Sequence, residues 1–243
     1  MIAYDLHIHS CLSPCAEDEM SPNNIVNMAV LKGLDMIAVT DHNSLKQVRT
    51  MAKVAKGKIK YIYGVEIESI EAVHLLAYFI DEKNIDELDA FLEQHLLKQK
   101  NNSKYYGNQN ICNEFDEVVG HYDNLLIMSC DLSIDEISKK VHDLGGIIVI
   151  AHALDRTNSI ITQLGFIPSN FKFDAIEVKN TKQKAELLKT HPHLKDAIFL
   201  YNSDAHRLVD INEAVNYIDE EVFKHLWRSK NDAGFSFKHF GCR

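Results

Sequence analysis

The chain has 243 residues, 46% of them apolar and 25% charged, which is ordinary for a globular protein and long enough to bury one large core. Acids outnumber lysine and arginine by 35 to 26, a net charge of −9, which argues against broad binding to nucleic-acid surfaces. No apolar run approaches the roughly 20 residues that a membrane span needs, so no membrane partner is expected.

In chain order, residues 2–9 read as an apolar strand, and because strand side chains alternate, His7 and His9 point the same way. The loop that follows, residues 11–19, carries Cys11, Cys15, Glu17 and Asp18. Ser21 and Pro22 open a helix that runs to about Lys32, where Gly33 stops it. Met36 to Thr40 is a second strand, followed at once by Asp41-His42-Asn43, the place where α/β proteins put active-site groups. Asp41 could cap the next helix, residues 44–55, or accept a hydrogen bond from a ligand histidine. Residues 61–68 form a third strand with Glu66 inside an apolar stretch, where an unpaired carboxylate is costly; Glu68 shares its face. His74 opens a fourth strand, residues 73–79.

Residues 85–98 have apolar side chains at helical spacing. The polar stretch at about 99–130 then breaks the rhythm and reads as an insertion over the strand ends, of the kind that often selects a substrate. Ser133 and Glu136 form a capping box that opens a helix to Leu144. A strongly apolar strand, residues 145–152, ends in His152, with Arg156 close behind. A helix is expected over Thr181 to Thr190, and the strand from Ile198 ends in Asp204 and His206, again two apart, with Arg207 next. Alternating strands and helices favour a parallel sheet, open or closed into a barrel.

Six histidines and two carboxylates thus fall at the ends of strand-like runs: His7, His9, His42, Glu66, His74, His152, Asp204 and His206. Each alone has an ordinary explanation, such as a solvated edge-strand pair, a salt bridge or a core histidine bonded to backbone. Together they read as one polynuclear metal site, because imidazole and carboxylate are the side chains that bind Zn, Mn and Fe. Five cysteines without framework spacing, and an N-terminus that enters a strand with no basic or apolar leader, fit a reduced, cytoplasmic compartment. The sequence sets no oligomeric state.

The segments Asp5-Leu6-His7-Ile8-His9-Ser10, Val39-Thr40-Asp41-His42-Asn43, Gly64-Val65-Glu66, Val73-His74-Leu75-Leu76, Ala151-His152 and Ser203-Asp204-Ala205-His206 resemble, in order, the motifs of the PHP (polymerase and histidinol phosphatase) family. The resemblance spans residues 2 to about 215. It implies one PHP-type domain over residues 1–243, a distorted (β/α)7 TIM-like barrel with two or three divalent ions (Zn, Mn or Fe) at its strand ends. It also implies hydrolysis of a phosphate ester. On that resemblance His7, His9, Glu66 and His152 hold a pair of ions, with Glu66 as bridge and Asp204 closing the first position, while His42, His74 and His206 build the remaining one. Asp204 or His206 would double as the proton donor, and Arg156 and Arg207 would grip phosphate. The family usually adds an acidic or histidine ligand soon after its His-x-His pair. Here Glu17 and Asp18 are the candidates, at unusual spacing, with Cys11 or Cys15 as a softer option. The expected substrate is a small phosphomonoester or phosphodiester, such as a nucleotide or sugar phosphate, and a nucleic-acid duplex is disfavoured by the acidic balance. Alternatives are an amidohydrolase, which commonly uses a lysine carbamate, and a metal-binding regulatory module without catalysis.

Overall fold

A computed structural model describes residues 1–155 and 157–228. The strands are β1 (Ile2–Ile8), β2 (Met36–Val39), β3 (Lys60–Glu68), β4 (His74–Phe79), β5 (Asn110–Cys112), β6 (Val118–His121), β7 (Ile147–Ile150), β8 (Ala175–Glu177), β9 (Ile198–Leu200) and β10 (Tyr217–Ile218). The helices are α1 (Pro22–Leu31), α2 (Val48–Ala55), α3 (Ile85–His95), α4 (Ser103–Tyr106), α5 (Ile134–Asp143), α6 (Ile160–Leu164), α7 (Thr181–Thr190) and α8 (Glu220–Arg228).

Eight strands form one curled sheet in the order β10-β1-β2-β3-β4-β7-β8-β9. The curl brings its far end back to β1. Ile8 and Ala205 form a parallel bridge, with the His9 N–H donating to the Ala205 carbonyl at 2.9 Å. The short β10 covers the same edge of β1 lower down, pairing with Ile2 and Ala3. This is the distorted TIM-like barrel that the resemblance implied.

Strand alternation sorts the apolar side chains into an inside and an outside. Tyr4, Leu6, Met36, Ala38, Ile62, Leu76, Tyr78 and Val149 meet in the barrel interior, where Phe223, Leu226 and Trp227 of α8 join them. Val65, Ile67, Leu75, Ala77, Ile148 and Ile150 face outward and pack under α3, α5 and α7. Glu66 and His74 share the inward parity of Ile62 and Leu76, so both project into the top of the barrel. In β1 a register shift between Asp5 and Ile8 changes the parity. Ile8 packs outward with α1 and α2, leaving His7 and His9 to face in.

One expectation fails in an instructive way. The sheet is mixed, because β4 runs antiparallel to both β3 and β7. Residues 69–73 are too few for a parallel crossover, which takes a dozen or more. Reversal puts the first residue of β4 at the same rim as the last residues of β3 and β7, so His74 pairs in register with Glu68.

The helix expected over residues 44–55 starts only at Val48. The backbone before it serves the rim: Asn43 has a left-handed φ of 48°, and its side chain donates to the Leu126 and Met128 carbonyls at 2.7 and 2.9 Å. The helix expected over residues 85–98 ends at His95, where Leu96 turns extended and bridges to Cys130. Within 99–130 the structure forms the hairpin β5–β6. It leans on the Cys11 carbonyl through the Asn110 N–H, and on Gln47, whose side chain pairs with both backbone groups of Cys112. The segment thereby flanks the rim. No helix among the described residues is long and apolar enough to cross a membrane.

Candidate metal centre

The eight residues singled out in the sequence converge. Glu66, 1% exposed, is the hub. Its Oε1 lies 3.2 Å from His7 Nε2, 3.0 Å from His74 Nδ1 and 3.2 Å from His152 Nε2. Its Oε2 lies 3.4 Å from His9 Nε2 and 3.1 Å from His42 Nδ1. Asp204 Oδ1 is 3.3 Å from Nε2 of both His7 and His9. Ligands held about 2.0–2.2 Å from one ion stand roughly 3.0–3.5 Å apart along the edges of its coordination shell. The observed spacings match that figure.

The outer hydrogen bonds decide which nitrogen faces the cluster. His7 Nδ1 lies 3.1 Å from both oxygens of Glu177, so its N–H donates there and Nε2 keeps a free lone pair. Ser13 Oγ donates to Asp41 at 2.7 Å, so at 2.9 Å from His9 Nδ1 it must accept, which again frees Nε2. Asp41 therefore reaches His9 through Ser13 and not by direct contact. His74 is turned the other way: its Nε2–H donates to Glu68 at 3.0 Å, and Nδ1 points at Glu66. His206 Nδ1–H donates to the Asp204 carbonyl at 2.8 Å. Asp204 and His152 both hold left-handed backbone, with φ of 55° and 27°, a strain that functional sites tend to store.

These residues fit divalent ions. The His42 and His152 Nδ1 atoms are buried without a hydrogen-bond partner, and His42 Nδ1 nonetheless stands beside a carboxylate oxygen. The electrostatics agree. Burial alone would keep His7 neutral, but Glu177, Asp204 and Glu66 outweigh it and hold its pKa well above the usual range. Burial likewise opposes charge on His9 and His74, yet Asp204 and Glu66 for the first, and Glu66 and Glu68 for the second, push each up to about 9. Glu66 and Asp204 are held low against burial, Glu66 chiefly by His74 and His7, Asp204 by His7 and His9. Burial and the charge on His9 drive His42 well below the usual value and His206 down to about 4. The carboxylates thus create a field that favours positive charge at the cluster.

A pH dependence follows from these shifts. Raised histidine pKa values stabilise the chelator-treated fold fully below the ordinary value of 6.5, and that contribution is lost as pH rises through about 9. Ions displace the same protons, so metal affinity gains over that window. The Tm of chelated protein is expected to fall from pH 6.5 to 9.5, and the increment in Tm on adding Zn to grow. Parallel curves would contradict this.

Some expected residues are not brought to the cluster. Glu17 is exposed, and only its N–H engages the site, donating to the His206 carbonyl at 3.0 Å. Asp18 accepts from the side chains of Asn108 and Asn110 at 2.9 and 3.0 Å. In their place Cys15 stands within 4.8 Å of donor atoms of His9, His42 and His206. Arg207 is engaged by Asp210 through two hydrogen bonds of 2.7 and 3.0 Å and does not line the cavity. Arg156 lies outside the described residues. His74 Nδ1 lies 3.3 Å from His152 Nε2 across β4 and β7, while His42 has donor atoms near both Glu66 with His74 and His9 with His206.

The residue missed in the sequence is Glu177, at the end of β8 and 3% exposed. Besides His7 it accepts the His152 N–H at 3.0 Å and the Asn202 side chain at 2.7 Å. Its signal was an acid closing the apolar run Ala175-Ile176, the same signal as Glu66 in a much shorter strand. At the cluster a cavity of about 130 Å³ opens to solvent, lined by His42, Glu66, His74, His152, Asp204 and His206 together with Asp155, Thr157 and Asn158.

The sequence profile of the PHP domain matches residues 5–164. Among solved structures the chain is similar to the lesion-specific endonuclease PfuEndoQ of Pyrococcus furiosus, with a TM-score of 0.58 and 23% identity over 85% of this chain and 49% of that one. This chain therefore spans about half the length of that endonuclease. It is also similar to a "putative metal-dependent phosphoesterase" of Bifidobacterium adolescentis, with a TM-score of 0.63 and 18% identity over 94% of this chain and 96% of the other. An amidohydrolase of Chromobacterium violaceum gives a TM-score of 0.61 and 17% identity over 92% and 95%. At such identities these likenesses speak to the fold. No curated protein matches the sequence. The profile match takes in the motifs around His7, His42, Glu66, His74 and His152, and the fold agrees with it: the chain belongs to the PHP domain family.

Proposed function

We propose that the protein is a metal-dependent hydrolase that cleaves a small phosphate ester with water, using two or three divalent ions. The observation that carries this reading is Glu66, whose two oxygens each meet a different set of imidazole nitrogens, as a carboxylate bridging neighbouring ions must. His7, His9, Glu66 and Asp204 would hold one ion, and His74, His152 and Glu66 a second. Ions bound there supply charge to neutralise the phosphoryl oxygens and to acidify a water.

The rest falls to the chain itself. Among the described residues, no lysine or arginine lines the cavity. Phosphate therefore finds no lysine or arginine to grip there, and Asp204, Glu66 and Asp155 offset the positive charge favoured on His74 until metal cations are present. Thr157 and Asn158 are placed to orient the ester's neutral oxygens. Neither group expected to donate a proton has one to spare: the Asp204 carboxylate lines the cavity but is held ionised, well below the usual carboxylate range, by His7 and His9. His206 has its Nδ1–H tied to the Asp204 carbonyl, and at a pKa of about 4 it has no second proton to give near neutrality.

The acidic balance favours a small substrate. Against it stands the likeness to Endonuclease Q, whose structure with a 27-mer duplex bears an abasic lesion at the active site. An amidohydrolase relying on a lysine carbamate is disfavoured, because no lysine among the described residues reaches the cavity. The test is a substrate panel for metal-loaded protein: p-nitrophenyl phosphate, its bis-ester, nucleotides, sugar phosphates, an abasic duplex and a set of amides. Turnover of small esters is expected. Cleavage of the duplex alone would overturn the substrate size, and turnover of amides alone would overturn the reaction.

A further inference from the structure

The two ions assigned above leave His42, His206 and Cys15 without a metal to hold. Cys15 is an exposed residue of the loop after β1, yet its Sγ and one ring nitrogen each of His9, His42 and His206 all lie within 4.8 Å of one another. Three independent features make this a donor set and not a chance neighbour. His42 is 5% exposed, and its Nδ1 is buried with no hydrogen-bond partner although it lies 3.1 Å from Glu66 Oε2. His206 commits Nδ1–H to the Asp204 carbonyl, so Nε2 carries an unused lone pair. The Glu17 N–H bonds the His206 carbonyl at 3.0 Å, which pins the cysteine loop against that histidine. His9 has both nitrogens engaged, with Ser13 and the Glu66–Asp204 group, and its ring stacks on His206 at 4.3 Å.

We propose that Cys15 supplies a thiolate ligand to a divalent ion held with His42 and His206, beside the ions bridged by Glu66. The inference rests on the metal-dependent reading above. A thiolate with two imidazoles is a soft donor set that favours Zn(II) or Fe(II) over Mn(II) and Mg(II). Three protein donors leave a further position open, and His42 and His206 both line the cavity where substrate would enter. A carboxylate at this place would make a harder site, so Cys15 is the residue that sets metal preference.

Cobalt tests this directly on the full chain. Co(II)-loaded protein is expected to show the near-ultraviolet charge-transfer band of a thiolate–cobalt bond. Cys15→Ser should lose the band and about one equivalent of cobalt. Cys15→Asp should keep the metal without the band, and shift preference from Zn toward Mn by tenfold or more. Because Cys15 is exposed, both variants should fold, which a thermal melt verifies. Zn should also slow alkylation of the Cys15 peptide by iodoacetamide at least tenfold. A full complement of cobalt with no band, a band unchanged in Cys15→Ser, or alkylation indifferent to Zn would overturn the proposal. Protein that binds no cobalt at all would instead overturn the metal-dependent reading of the whole centre.

Discussion

Replacing Glu66 with glutamine is expected to cut kcat/KM on a phosphate ester by about 10³-fold or more, roughly 4 kcal/mol of transition-state stabilisation. The substitution keeps the shape and removes the charge. Five imidazoles face that carboxylate at 3.0–3.4 Å, so no other group can take over its bridging position. Metal content should fall by at least one ion per chain. Stability of the chelated protein should fall as well, by about 3–5 kcal/mol, because His7 and His74 lose the counter-charge that keeps them protonated in a buried setting. The checks are steady-state kinetics, elemental analysis and a denaturant titration on the same preparation. Wild-type metal content in Glu66→Gln would show that the carboxylate is an ordinary ion-pair partner.

Glu177→Gln is the second large effect, and it reaches the ions without touching them. The carboxylate holds the His7 N–H, the His152 backbone N–H and the Asn202 side chain together. A glutamine offers one acceptor oxygen and turns an N–H2 toward groups that themselves donate. His7 would then be free to rotate or to change tautomer. A loss of about 10- to 100-fold in metal affinity or activity is expected, the usual range for a residue that orients a ligand. Buried donors left unpaired should cost about 1–3 kcal/mol. Competition with a chelator of known affinity measures the first, and thermal unfolding the second. Affinity unchanged alongside lowered stability would make Glu177 a packing residue only.

Why Glu177 escaped notice in the sequence, while Glu66 did not, says where sequence reading stops. Glu66 sits in a strand of nine residues whose apolar alternation is unmistakable; Glu177 ends a strand of three, preceded by polar Lys172 and Asp174. Short strands carry too little pattern to reveal a period. The candidate ligands were legible because each lies within or next to a run of apolar side chains, a local property. Their pairing was not, because it depends on strand direction. His74 and His152 meet only because β4 is reversed, and the five-residue connection at 69–73 was the one clue. Cys15 and the two acids after it were equally open from sequence, since a loop without periodicity gives no facing. Hydrogen bonds supply the facing: the Glu17 N–H goes to the His206 carbonyl, and the Asp18 carboxylate turns to the side chains of Asn108 and Asn110.

Cations gathered by Glu66 are the centre of the proposed chemistry. Diffraction from crystals of metal-loaded protein, collected at the absorption edge of the bound metal, tests that most directly. Anomalous peaks are expected between His7, His9, Glu66 and Asp204, and again between His74, His152 and Glu66. Crystals grown with millimolar Zn or Mn that show no peak beside Glu66, or imidazoles turned away from it, would contradict the account.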